Sequence, residues 1–155
     1  MFIRNQLKMQ TEGDPTILNR SSKKNVTISS LDKHKAQFNE INDNIVTEKK
    51  FTDAALSLES LADDFNISVS FLSQLINTYS DSNFTDYINK YRVEQVKELL
   101  MDKNYTNYTI LSIGLESGFN SKSTFYTAFK KHANCTPAEY KQGVMQQKLV
   151  RNHNI

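Results

Sequence analysis

The sequence predicts an all-α fold, and three observations carry that expectation: few helix breakers, three clear helix starts and an internal repeat. Only four Gly and two Pro occur in 155 residues, so the chain lacks the punctuation that hairpins and sheet turns require. Ser57, Asn83 and Thr136 each precede a run with helical apolar periodicity, where a short polar side chain can accept a free N–H of the first turn. Leu58, Leu61, Ala62, Asn66 and Ile67 recur at an offset of 52 as Ile110, Ile113, Gly114, Gly118 and Phe119. After one further residue in the turn, Ser68, Leu72 and Ile76 recur at an offset of 53 as Ser121, Phe125 and Phe129. Each copy reads as helix, tight turn, second helix.

Taken in order, residues 1–36 are rich in Ser, Thr, Asn and Lys without a sustained apolar period, which predicts a flexible N-terminal tail. From Gln37 the period turns helical, with Phe38, Ile41 and Ile45 on one face. Ser57 then starts the first helix of copy one. Ala62 is small enough for a second helix to cross closely, and Asn66 tolerates the positive φ of the turn. Ser68 caps that second helix, expected over about residues 68–79. Asn83-Phe84-Thr85-Asp86 is close to a capping box, with Asp86 expected to reach back from the third helical position. It opens a linker helix from about Phe84 to Met101, with Phe84, Ile88, Tyr91, Gln95 and Leu99 on one face and Val96 and Leu100 alongside. The charges of Arg92, Glu94, Lys97 and Glu98 are expected on its solvated side. Copy two follows, with Gly114 at the crossing, Gly118 in the turn and a second helix over about residues 121–132. Thr136-Pro137-Ala138-Glu139 is a full capping box with Pro at the first helical position. The expected domain covers residues 37–142, leaving 143–155 as a C-terminal tail.

Composition narrows the class of function. Apolar residues make up 38% and charged residues 23%, enough for one packed domain with tails. Cys135 is the single cysteine, which excludes a disulfide framework or a multi-thiolate zinc site within one chain. Met1 to Gln6 is too polar for a signal-peptide core, and no stretch approaches the roughly 20 apolar residues of a membrane span. The expectation is a cytoplasmic chain with no membrane segment, no cofactor and no metal. His34, His132 and His153 are scattered, and no Cys–His or carboxylate–His spacing stands out. With no Gly-rich phosphate loop either, the sequence argues against an enzyme. Cys135, just before a helix start, is expected to be an incidental, partly buried thiol. Net charge is +2, distributed as +3 over residues 1–50, −5 over 51–101 and +4 over 102–155. Such halves would meet a polyanion differently.

The second helix of each copy carries the candidate site. In copy one, Phe71, Leu72, Leu75, Ile76 and Tyr79 share an apolar face, and Ser70, Ser73, Gln74 and Asn77 lie opposite. That polar face has no charge, whereas a merely solvated helix face is usually rich in Lys and Glu. Hydroxyls and amides are the groups that hydrogen-bond base edges in the major groove of double-stranded DNA. In copy two, Phe125, Ala128 and Phe129 face inward and Ser123, Tyr126 and Thr127 outward. Lys122, Lys130 and Lys131 cluster around the same helix, as phosphate contacts would. The linker helix, roughly 25 Å long, suits two reading helices one groove turn apart, about 34 Å along the duplex.

These residues resemble the C-terminal DNA-binding domain of AraC/XylS-type transcription regulators. The matching runs are Leu58–Ala62 with Ser70–Ile76, then Phe84–Val93 ending in Glu98-Leu99-Leu100. Ser117–Phe125, Ala128–Lys131 and Thr136–Tyr140 complete a resemblance that covers roughly residues 38–142. It implies seven helices, two helix-turn-helix units and transcriptional control, with DNA and RNA polymerase as partners. Gln74 and Thr127 stand where many members carry groove-facing Arg or other polar readers, so strong bidentate guanine contacts are not expected there. The family often has Gly where this chain has Asn66, Asp81 and Asn134; Asn and Asp are the next most tolerant of positive φ, so the turns are expected to survive. Gly114 replaces a usual Ala and is expected to cost up to about 1 kcal/mol. Members typically add a sensing or dimerising domain, or sit at the cytoplasmic end of a larger sensor, which the short first unit resembles. Fewer than 40 residues precede the domain, so the expectation is a stand-alone module or a piece of a longer system with a sensor protein or domain as partner.

The functional expectation is a sequence-specific DNA-binding regulator that places both second helices in successive major grooves. The acidic middle motivates one rival: a protein-interaction module that keeps the fold and has lost DNA binding.

Overall fold

The structure, a computed structural model, describes residues 15–152, with side chains over 30–147 and at Leu149. Of the described residues, those up to His34 form one compact unit and those from Lys35 a second. Seven α-helices and no strand occur among the described residues: α1 Pro15–Thr47, α2 Leu58–Asp64, α3 Val69–Ser80, α4 Phe84–Met101, α5 Ile110–Glu116, α6 Lys122–Ala133 and α7 Pro137–Asn152. Short 3-10 turns at Lys50–Thr52 and Lys103–Tyr105 complete the chain.

Two elements are longer than expected. The backbone is helical from Pro15, well before Gln37, because nothing from Thr16 to Thr47 is Gly or Pro. At the other end α7 continues to Asn152, ten residues beyond the boundary expected at 142. The remaining parts of both expected tails, residues 1–14 and 153–155, lie outside the described residues, and His153 with them.

In the second unit the cores lie on either side of α4. Ile41 and Ile45 of α1, Phe51, Leu61 and Ala62 of α2, and Leu72, Leu75 and Ile76 of α3 pack with Tyr87 and Ile88 from the first half of α4. Val93, Val96 and Leu100 from its second half pack with Ile113 of α5, Phe119, and Phe125, Ala128 and Phe129 of α6. A helix between two cores cannot keep a whole side for solvent. This corrects the expectation for Arg92, which is only 8% exposed. Its Nε donates to the Phe51 carbonyl at 2.7 Å and a terminal nitrogen donates to the Asp53 carbonyl at 2.9 Å, while the guanidinium carbon lies 5.8 Å from the Phe119 ring centre.

The starts and turns are set locally. Ser57, Ser68, Asn83, Thr109 and Ser121 each accept a backbone N–H from three residues on. The Ser57 cap is reciprocated by Ser60, whose hydroxyl accepts the Ser57 N–H at 3.1 Å. The Thr136–Glu139 box closes as expected, with the Thr136 N–H donating to Glu139 at 2.7 Å and the Glu139 N–H to Thr136 at 3.2 Å. Asn66, Asp81 and Asn134 hold φ of 50°, 53° and 58°, the left-handed turns their side chains tolerate. Lys49, at φ 49°, does the same unannounced by its residue type.

Gly114 is more than a weak helix former. A Cβ there would lie 2.6 Å from the ring of Phe125, which is fully buried. Its role is to let α6 seat against α5. Gly114→Ala should therefore lower stability by about 1–3 kcal/mol in denaturant unfolding, despite alanine's better helix propensity. Arg92→Leu, which takes the guanidinium from two backbone carbonyls, should cost roughly 2–4 kcal/mol by the same measurement. A loss under about 0.5 kcal/mol, the size of an ordinary surface substitution, would show that Arg92 does not tie these elements together.

Candidate nucleic-acid interface

The two copies are alike in backbone as well as in sequence. In the first, the Asn66 N–H donates to the Asp63 carbonyl and the Ile67 N–H reaches back to the Ala62 carbonyl at 3.0 Å. In the second, the Gly118 N–H donates to Leu115 and the Phe119 N–H to Gly114 at 3.2 Å. Paired closures of this kind, with the turn residue at positive φ, end a helix sharply and send the chain into the next one. A serine then starts the new helix in both cases: the Phe71 N–H donates to Ser68 at 3.2 Å and the Thr124 N–H to Ser121 at 3.2 Å. α3 and α6 therefore leave their turns in the same way, each with its apolar face on α4.

What remains outside is the pair of polar faces. On α3, Ser70, Gln74 and Asn77 are exposed and Ser73 is half-buried. These four line one shallow groove with Leu58, Val69 and Thr78. On α6, Lys122, Ser123, Thr127 and Lys130 are exposed. Tyr126 is half-buried, its ring edge-on to Phe125 at 4.9 Å and the Lys122 ammonium 5.9 Å above it. Thr124 is also exposed at the start of the same helix, where the sequence carries no signal for it.

A continuous concave surface joins the two faces. Ser73 also lines a cleft of about 700 Å³ with Leu58, Glu59, Asp86, Asn89 and Lys131. Asp86, Asn89 and Lys131 in turn line a second cleft of about 320 Å³ with Ser123, Thr127 and Ala128. The start of α4 thus forms a saddle between the candidate reading faces. Asn89 is 7% exposed there, and its Oδ1 has no hydrogen-bond partner among the described residues.

Asp86 on this saddle departs from the capping role that its spacing predicts. It gives its N–H to the Asn83 side chain at 2.9 Å, but its carboxylate does not return the bond. Instead Oδ1 accepts from Lys131 Nζ at 2.7 Å and lies 3.0 Å from His132 Nε2. Lys131 is accordingly an ion-paired residue on the concave surface, whereas Lys122 and Lys130 have no salt bridge among the described residues. The Lys131 hydrogen bond holds the Asp86 carboxyl below its ordinary value of 3.8. A carboxyl with a depressed folded pKa stabilises the fold fully above its unfolded value, and that contribution is lost as pH falls through the folded one. Asp86→Asn should therefore be less stable than the parent at neutral pH, with the difference shrinking below pH 3.8 in acid-unfolding curves.

Known proteins share the sequence pattern and the fold. Residues 61–143 match the family model described as "Helix-turn-helix domain". The chain is similar to the melibiose operon regulatory protein of Escherichia coli (strain K12), 28% identical over 96 residues that cover 62% of this chain and 31% of that one. It is similar to the probable transcription factor PqrA of Proteus vulgaris, 29% identical over 87 residues, 56% of this chain and 69% of that one. Among solved structures, the C-terminal domain of AraT, a response regulator from Geobacillus stearothermophilus, matches with TM-score 0.59 at 30% identity, covering 68% of this chain and 84% of that one. A Chromobacterium violaceum transcriptional regulator described as containing an AraC-type DNA-binding domain matches with TM-score 0.57 at 25% identity, covering 69% and 94%. The matched segment thus spans about a third of the melibiose regulator.

Proposed function

This chain belongs to the AraC-type family of helix-turn-helix DNA-binding transcription regulators, and we propose that one copy of it reads DNA with α3 and α6 in successive major grooves. The continuous concave surface between two polar helix faces is the observation that carries this reading. α4 has 18 residues, roughly 27 Å of helix, which suits reading helices about one groove turn apart. On α3 the base-reading residues are Ser70, Ser73, Gln74 and Asn77; on α6 they are Ser123, Tyr126 and Thr127. Gln and Asn match adenine edges in bidentate fashion, and hydroxyls adapt to several bases. Lys122 and Lys130 neutralise phosphate and fix the register of α6, giving affinity rather than sequence preference.

The regulator works where its DNA is, in the cytoplasm, and no helix among the described residues is long and apolar enough to cross a membrane. Its other partners are RNA polymerase and a sensor protein or domain. The melibiose regulator extends well beyond the matched segment, which is 31% of its length, and this supports the second of these.

Selection of binding sites from a random duplex library, at low and near-physiological salt, tests the reading. An asymmetric motif spanning two groove turns is expected. A motif one turn long would mean that only one helix reads bases. No enrichment at either salt would overturn DNA reading in favour of a protein-interaction role. On the selected site, Gln74→Ala should relax preference at one base position by about 1–3 kcal/mol. Lys130→Ala should instead weaken binding to every duplex and reduce the salt dependence by about one counterion.

A further inference from the structure

The saddle between α3 and α6 is where the DNA backbone would pass from one major-groove segment to the next, if these helices read DNA as proposed. A cation is the group usually found at such a place. The cation present is Lys131, and its ammonium is bound to Asp86 at 2.7 Å. Asp86 is well placed to hold it: the carboxylate is 23% exposed, Lys131 61% and His132 16%, so the acid sits beneath the lysine it engages. The Asp86 N–H is already taken by Asn83, and Glu59 adds a second acid to the same cleft. The two acids of the saddle thus outnumber its lysine, on a surface whose α6 flank carries Lys122 and Lys130 without ion pairs among the described residues.

We propose that Asp86 is an electrostatic brake on DNA binding: it neutralises Lys131 on the saddle and so withholds one phosphate contact from every duplex, whatever its sequence. The brake leaves discrimination to the hydroxyls and amides of α3 and α6, because a contact withheld equally from all sequences lowers the background without changing the preference. Asp86 contacts no base in this arrangement. It sets how strongly the second unit holds DNA that it does not recognise.

The test is fluorescence anisotropy with the full chain, on the selected duplex and on an unrelated one, across a salt series. Asp86→Asn should bind both duplexes about threefold to tenfold more tightly near 0.1 M salt, with the slope of log K against log salt steeper by about 0.9. Lys131→Met, which leaves a bare carboxylate beside the backbone, should bind more weakly. Asp86→Asn combined with Lys131→Met restores the parental net charge and should bind within about twofold of the parent. A double variant as weak as Lys131→Met alone would overturn the brake, because Lys131 would then touch phosphate with Asp86 merely positioning it. Parental affinity and slope in Asp86→Asn would overturn it as well, while leaving groove reading intact. If the parent binds no duplex even at low salt, groove reading and brake both fail. Circular dichroism melts establish that each variant is folded. Should Asp86→Asn not fold, Asp86→Ser makes the same charge change with a hydroxyl that suits a helix start.

Discussion

A guanidinium taken out of water is costly unless its N–H groups meet acceptors, and the second unit is organised around meeting that requirement at Arg92. The acceptors are the carbonyls of Phe51 and Asp53, in the connection between α1 and α2. The ring of Phe119, at the turn between α5 and α6, has its centre 5.8 Å from the guanidinium carbon. Gly118 completes the junction, since a Cβ there would stand 2.5 Å from the Phe51 carbonyl and 2.9 Å from Arg92 Nε. Its φ of 100° thus serves two ends, the left-handed turn and the close approach of two backbones. One side chain on α4 therefore fixes the end of α1, the start of the first helix-turn-helix and the turn of the second. The two candidate reading helices, α3 and α6, inherit their relative placement from this point and from the two cores that flank α4.

That placement explains what a single sequence could and could not show about the fold. Helix starts are local: Ser57, Asn83 and Thr136 act on backbone groups three residues away, so their types and positions suffice to locate α2, α4 and α7. The turns are equally local, and Asn66, Asp81, Asn134 and Gly118 all adopt the positive φ that their residue types tolerate. The faces of α4 are another matter. An amphipathic reading assumes one buried stripe, but two cores press on this helix, so Tyr87, Asn89 and Arg92 are buried with Ile88, Val93 and Val96. Arg92 reads as a solvated charge because the carbonyls that satisfy it lie about 40 residues back in the chain, where no periodicity points. The reach of α1 and α7 escapes the sequence for a different reason: a polar composition lowers the stability of a helix without forbidding it.

The candidate site divides along the same line. The polar face of α3 and the mixed face of α6 follow from period and residue type, and the structure leaves most of both exposed. The saddle does not follow from either. Asp86 has the spacing of a capping partner for Asn83, yet its carboxylate turns to Lys131 and His132, 45 and 46 residues ahead. Asn89 reads as an ordinary polar position on a helix and proves to be buried between two clefts. These relations exist because the end of α6 returns across the start of α4, a consequence of the repeat's tertiary packing rather than of any local pattern.

The charge asymmetry of the chain gains a physical meaning from this arrangement. Affinity for DNA in general comes from neutralised phosphate and falls steeply with salt, whereas discrimination comes from base contacts that salt affects much less. A surface rich in lysine binds everywhere on a genome, and the competing sites then outnumber the target by orders of magnitude. On the proposed reading, the first helix-turn-helix copy would meet bases with uncharged side chains in acidic surroundings, since Glu59, Asp63 and Asp64 all belong to α2. Positive charge is concentrated at α6, where one of three lysines is already paired with an acid. Such a domain gives up general affinity, and its occupancy depends more heavily on the bases under both helices being correct at once. Strict dependence on two grooves read together requires that neither helix hold DNA firmly alone, and it requires that the two be rigidly spaced. On the proposed reading, the acidic surroundings of α3 and the Lys131–Asp86 pair beside α6 serve the first condition, and the buried junction at Arg92 serves the second.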